Sequence, residues 1–321
     1  MARHLASIGV LLMAFGGPNS MEEVEPFLQK VLGRGVSAQR LHDVRERYRL
    51  IGGGSPFLEI TLQQARRLEN SLQGKDTRYK VYVGMKHWHP FIAETLGEIL
   101  KDGIHRVVAL SLIPFQSKMS TEPYMLELQQ AVTASKGTIE VSVVEGWHIH
   151  PIFLQALAER VQEGLNQFPI EVRHKVPVIF SAHSLPKKAI VGDPYVEQIG
   201  ETIRGIIGIT GPLQWRLAFQ SGGGNRGEWL GPEMSTILRE LVEKGHREVI
   251  VAPVGFVADN VETLYDIDIF YKQQAEAMGM SFQRSPCLND SDRFIEALSS
   301  IVREHLANET WSSHNDMEAM R

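Results

Sequence analysis

The sequence predicts an α/β protein of two similar domains that face each other across a cleft, each a parallel sheet flanked by helices. Three observations carry this. Short apolar runs alternate with longer amphipathic stretches, the pattern of βαβ units. The chain also repeats itself: Leu-Leu-Met-Ala-Phe-Gly-Gly-Pro at 11–18 matches Ile-Phe-Ser-Ala-His-Ser-Leu-Pro at 179–186, with Ala14 over Ala182 and Pro18 over Pro186. Its 321 residues suffice for two domains of ordinary size, each with its own core. The expected division is 1–150 and 151–321, with a C-terminal helix able to pack back on the first domain.

Strands are expected at 8–15, 81–84, 107–113, 139–144, 176–180, 215–219 and 249–254, because each is a short apolar run bounded by breakers. Helices are expected at 61–72, 90–102, 125–135, 152–168 and 232–244, with Pro90 and Pro232 suited to a first helical turn. A second repeat supports the duplication: Gly103-Ile104-His105-Arg106 leads into one strand and Gly245-His246-Arg247 into another. The polar segment from Asn308 onward is expected to fray.

Composition narrows the function. A net charge of -5 argues against a nucleic-acid binder, which usually carries a basic face. Cys287 is the only cysteine, which excludes an intrachain disulfide and a Cys-ligated iron–sulfur cluster and fits a reducing cytoplasm. The apolar run near the N-terminus is too short to span a bilayer and ends in Gly16-Gly17-Pro18, so it reads as the first strand. No Walker motif, no Gly-x-Gly-x-x-Gly and no Gly-x-Ser-x-Gly elbow is present.

In open α/β sheets, ligands bind beyond the carboxyl ends of the strands. His183, in Phe180-Ser181-Ala182-His183-Ser184-Leu185-Pro186, stands at such an end. A helix is expected to start near Asp259, which puts Glu262 and Asp266 on one face, two acids that suit a proton or cation path. Lys86 and His87, with Trp88 and His89, put cationic groups and an aromatic at another strand end, suited to a flat anionic ligand. Gly52-Gly53-Gly54-Ser55 permits close backbone approach, and the loop from Phe219 through Ser221 to Arg226 is closed by Trp229. His148 and His150, without a third ligand, read as surface residues.

Together these segments resemble the ferrochelatase family, enzymes that insert ferrous iron into a porphyrin in haem synthesis. The matching stretches are 14–18, Arg47-Tyr48 with 51–56, 84–87, 181–186, Gly192-Asp193-Pro194-Tyr195, 219–221, 229–232 and 255–268, and the likeness spans residues 8–305. The resemblance implies two Rossmann-like domains with a porphyrin cleft between them. It implies His183 and Glu262 as the central pair, with His183, Glu262 and Asp266 handling metal. It places Phe15, Arg47, Ser55, Lys86, His87, Ser117, Tyr124, Ser221, Trp229 and Asn260 along the porphyrin. Iron is then a substrate, with no tightly bound cofactor. The expected partners are porphyrin and ferrous iron only, for a cytoplasmic monomer without a transmembrane segment, peripheral membrane contact being left open.

The chain departs from the family pattern in places. Asn260 stands where many members have His, and it cannot serve as a base. Phe15 stands where some coproporphyrin-using members have Tyr, and it cannot ligate iron. Phe270 replaces an acid found in some members. Segment 27–45 is short and carries Arg34, Arg40 and Arg45, unlike a long apolar lip. Coproporphyrin III and protoporphyrin IX both stay open as substrate. Competing readings are a chelatase for another metal or tetrapyrrole, a haem carrier without turnover, and a nucleotide-binding Rossmann domain. A carrier needs no proton path, and the last lacks its glycine fingerprint.

Overall fold

The structure, a computed structural model, describes residues 6–33, 35–74, 77–223, 228–309 and 311. The expectations for Arg34, for the loop tip 224–227 and for most of the C-terminal tail therefore fall outside the described residues. The first half runs β1 (Ala6–Ala14), α1 (Val24–Leu32), α2 (Ala38–Leu50), α3 (Phe57–Leu72), β2 (Thr77–Met85), α4 (Ile92–Lys101), β3 (Arg106–Ser111), α5 (Glu122–Ala134) and β4 (Glu140–Val144). The second runs α6 (Pro151–Leu165), α7 (Ile170–Arg173), β5 (Val178–His183), α8 (Tyr195–Thr210), β6 (Trp215–Gln220), α9 (Met234–Glu243) and β7 (Glu248–Ala252). A π-helix (Glu262–Tyr271), α10 (Lys272–Ala277), β8 (Ser281–Arg284) and α11 (Asp292–Asn308) complete it.

The two halves share one topology. Each holds a four-stranded parallel sheet, ordered β2-β1-β3-β4 in the first and β6-β5-β7-β8 in the second. The repeated sequences thus become the central strands β1 and β5, both buried on two faces. That is why they read as unbroken apolar runs. Seven strands fall where the sequence predicts them. The eighth, β8, was missed because it is a four-residue edge strand whose one buried side chain is Phe282. β2 starts at Thr77, ahead of its apolar run, because its first half is a half-exposed edge.

Helix α8 was also absent from the expected elements. It buries Ile199, Ile203 and Ile206 but carries Gly200, Gly205 and Gly208, which weaken a helical signal. At Gly205 a Cβ would stand 2.6 Å from the Leu154 side chain, so this glycine permits the close packing of α6 on α8.

Each half has an apolar cluster of its own, around Leu11, Ile92 and Tyr124 in the first and around Ile179, Leu238 and Phe282 in the second, and a third cluster spans both. This third cluster joins Val10, Leu12, Leu68 and Val108 of the first half to Phe153, Phe180, Ile199, Ile250 and Ile301 of the second. Helix α11 packs against both α6 and α3. The reading of His148 and His150 as surface residues is corrected. His148 is buried and pairs with Glu201 of α8 at 2.7 Å, while His150 reaches Glu304 of α11 at 3.2 Å. Both rings are held where the chain passes between halves. No helix among the described residues is long and apolar enough to cross a bilayer.

Candidate active site

His183 is the last residue of β5, so parallel pairing fixes its backbone up to the point where the chain leaves the sheet. Its strand partner is Gln220, the last residue of β6. The Gln220 carbonyl accepts the Ser184 N–H at 2.8 Å, and the Gln220 amide nitrogen donates to the Glu262 carbonyl at 3.2 Å. Gln220 therefore ties the end of β5 to the start of the π-helix. Sequence reasoning passed over it, because a strand-end glutamine carries no motif by itself.

Glu262 opens the π-helix. Asn260 sets that opening: its Oδ1 accepts the Glu262 N–H at 2.8 Å, and its Nδ2 donates to the Ala258 carbonyl at 3.1 Å. Both polar atoms of the Asn260 amide are thus used in the turn, which leaves the half-buried residue in place beside Glu262. A π-helix winds with more residues per turn than an α-helix, so positions four apart lie closer to eclipse. Glu262, Asp266 and Phe270 follow one another this way, from half-buried through buried to 43% exposed.

The pair forms as expected. His183 Nδ1 lies 2.8 Å from Glu262 Oε2. Burial opposes charge on the imidazole, but the Glu262 carboxylate, by its charge and its hydrogen bond, together with Asp266, outweighs it and raises the His183 pKa. Glu262 moves the opposite way. Burial works against its charge, yet His183, Ser221 and Arg47 hold it below the usual carboxylate range. Asp266, one turn on, is pushed up to about 6, first by burial and then by Glu262, against the pull of Ser221 and Arg47.

Asp266 is held from two sides. The Ser221 hydroxyl donates to Oδ2 at 2.5 Å, and Arg47 Nη1 lies 3.3 Å from Oδ1. Ser221 reaches it from a left-handed backbone, φ 58°, unusual for a non-glycine and typical of a strained functional position. Arg47 arrives from α2 in the first half and also covers the Tyr265 ring at 5.2 Å. The His183–Glu262 pair and the Asp266 group with Ser221 and Arg47 thus stand one helical turn apart, with Arg47 supplied by the first half. Among the described residues no three His, Cys, Asp or Glu side chains converge into a ready-made metal cage.

The remaining predicted residues lie apart from the His183–Glu262 pair, some exposed and some buried. Phe15, 41% exposed, meets His87 with ring centroids 4.4 Å apart, because the Ala14 and Phe15 carbonyls accept the Lys86 and His87 N–H groups. The expected cationic pair is corrected. Burial, then Lys86 and Lys30, push His87 down to about 4, so its ring is neutral near pH 7. Lys86 is an ion pair with Glu127 at 3.1 Å. Tyr124, with 1% exposure, sits inside the first half's core, and its hydroxyl has no partner among the described residues. It lies beneath the surface that would meet a ligand rather than on it. Ser117 is buried with its hydroxyl given to Asp193. Ser55 donates its backbone N–H to the Pro18 carbonyl at 2.8 Å, next to Gly54, where a Cβ would stand 2.2 Å from the Asn19 oxygen. The glycine run does serve close backbone approach. Trp229 is half-buried, with its indole N–H unpartnered among the described residues.

The family model for ferrochelatase matches residues 7–306, which is nearly the whole chain. This chain belongs to the ferrochelatase family. It is 38% identical over 304 residues to a ferrochelatase of Deinococcus radiodurans, covering 94% of this chain and 96% of that one. It is 36% identical over 304 residues to a coproporphyrin III ferrochelatase of a Geobacillus species, covering 93% and 98%. Among solved structures, SirB from Bacillus subtilis with Fe3+ superposes with a TM-score of 0.61 at 10% identity, covering 94% of this chain and 96% of that one. CbiX, the terminal enzyme of sirohaem biosynthesis in denitrifying bacteria, superposes with a TM-score of 0.55 at 12% identity, covering 94% and 100%. At such identities the structural likeness speaks for the two-domain Rossmann-like fold alone.

Proposed function

We propose that this ferrochelatase-family chain inserts ferrous iron into a porphyrin, coproporphyrin III or protoporphyrin IX, for haem synthesis, with His183 and Glu262 as the central pair. The observation that carries the proposal is the 2.8 Å bond between His183 Nδ1 and Glu262 Oε2, contributed by separate strand-end turns. Two pyrrole N–H bonds break as iron enters the ring, and two protons must leave. With Nδ1 turned to Glu262, Nε2 is left to accept a pyrrole proton or to meet the metal, for which imidazole is a common ligand. Glu262 stabilises the imidazolium that results. Asp266, Ser221 and Arg47 continue the polar path toward the surface, available to protons or to iron.

Porphyrin carboxylates are the natural partners of Arg47, with Ser55 and Trp229 along the same cleft. Iron is substrate here, and the reaction needs no resident cofactor. The chain works without nucleic acid, as a cytoplasmic monomer.

The test is anaerobic incubation of the protein with ferrous iron and each porphyrin, followed through the Soret band. Iron insertion into one of them is expected. His183→Ala is expected to lose on the order of 10²–10⁴-fold in kcat while keeping its far-UV spectrum. Near-normal turnover in that variant would remove His183 from the reaction.

A further inference from the structure

The turn that follows β5 binds two things at once. Asp193 accepts three hydrogen bonds: from the Tyr195 N–H through Oδ1 at 2.9 Å, and from the Lys118 N–H and the Ser117 hydroxyl through Oδ2 at 2.7 and 3.1 Å. Two of those donors belong to the first half. Two residues on, the Tyr195 hydroxyl donates to the His183 carbonyl at 3.0 Å. The Tyr195 ring, 5% exposed, stands edge-on to Phe115 of the first half, centroids 5.9 Å apart at 88°. Gln116 and Gln198 close the same seam with reciprocal bonds of 2.7 and 3.1 Å.

We infer that the turn 193–195 is a clasp that couples the seating of the first half's 115–118 loop to the aim of His183, with Tyr195 as a positioning residue. The inference rests on the reading of His183 as the proton acceptor. The physical reasoning is short. All three groups that face the Asp193 carboxylate are donors, and a single carboxylate satisfies them. An asparagine keeps one accepting oxygen and puts an NH2 group against a donor. The His183 carbonyl lies one bond from the Cα that carries the imidazole. Tyr195 therefore holds that Cα from behind, while Glu262 holds the ring from in front. The carbonyl is fixed against a ring that itself leans on the other half of the molecule. A movement of loop 115–118 is passed through the Phe115–Tyr195 contact and the Asp193 bonds to the backbone of His183. Small misplacements of a reacting group cost rate steeply.

The experiment uses the full chain and two variants, Tyr195→Phe and Asp193→Asn, in the iron-insertion assay. Tyr195→Phe keeps the ring and deletes only the hydroxyl. Its expected effect is a fall in kcat on the order of 10-fold, with the porphyrin KM within about twofold and a shift of the His183 ring signals in NMR, assigned by comparison with His183→Ala. Asp193→Asn is expected to lower kcat and move the same signals while raising the porphyrin KM, because it loosens the seam as well. An unchanged kcat in both variants overturns the inference. So does a loss of kcat with the His183 signals unmoved, since a merely structural role gives that result. If Tyr195→Phe does not fold, Asp193→Asn decides by the same criteria. Wild-type turnover that survives in His183→Ala would instead refute the reading of His183, whatever the clasp variants do.

Discussion

His183 owes its chemistry to its neighbours more than to its type. Burial alone would make it a poor base, and the Glu262 carboxylate reverses that. The consequence can be signed. A raised pKa means the imidazole is already protonated over a wider acid range, where it cannot accept a pyrrole proton. Replacing Glu262 by Gln removes the charge that raises it, so the acid limb of the kcat/KM profile should move to lower pH, while the plateau falls on the order of 10²-fold or more. A pH–rate series on Glu262→Gln checks this, and an acid limb that stays in place would uncouple the two residues. Asp266 gives a second signed case. Its folded pKa of about 6 lies above the ordinary 3.8, so its contribution to stability is full at low pH and is lost as pH rises through about 6. Asp266→Asn has no such loss. Its melting temperature should gain on the wild type between pH 5 and pH 8, as thermal unfolding at both values would show.

The π-helix is the element that turns a sequence spacing into a line of acids. Its wide turns stack Glu262 over Asp266 and end the series at Phe270, which is exposed and apolar. Behind its N-terminal end, Arg284 of β8 anchors Asp268 with two bonds of 2.7 and 2.8 Å and reaches Asp259 at 3.0 Å. The acid at 268 is thus structural and stands apart from the line that leads to His183. Helix packing supplies a prediction at the same scale. Gly164 lies on α6 where a Cβ would stand 2.2 Å from Ile250 Cδ1 and 3.0 Å from the Ser285 backbone. Gly164→Ala should therefore destabilise the fold by about 1–3 kcal/mol, despite alanine's better helix propensity. Urea unfolding of that variant is the measurement, and a gain in stability would show that α6 shifts freely.

At the scale of the molecule, the halves are duplicated in topology, each keeps an apolar cluster of its own, and a further cluster spans both. The cluster that contains Val10 and Leu68 also contains Phe180, Ile199 and Ile301, and α11 brings the end of the chain back onto α3. Polar ties reinforce it: Arg303 of α11 donates to the Ser71 and Leu72 carbonyls at 2.9 and 3.2 Å. Neither half can unfold without exposing the apolar face of the other. Scanning calorimetry should accordingly show one transition for the full chain, with calorimetric and van't Hoff enthalpies close to each other. Two separated transitions would show that the halves are energetically independent.

What the sequence by itself determined was the alternation of strands and helices, the repeat that makes β1 and β5 equivalent, and the strand-end placement of His183 with Glu262 and Asp266 in series. Each is written locally, in apolar runs, in breakers and in spacing, so no distant contact is needed to read it. The tertiary structure decided what those groups are to one another. The charge of His87 depends on burial and on Lys30, a residue far away in sequence. The use of Ser117 depends on Asp193, and that of Arg47 on Asp266, 219 positions along the chain. Tyr195 and Gln220 had no signal beyond a matching stretch, because their work is done through the backbones of other residues. Such roles arise only when the two sheets are brought together, since a side chain's protonation and aim are set by the charges, donors and burial around it, and those come from the whole fold.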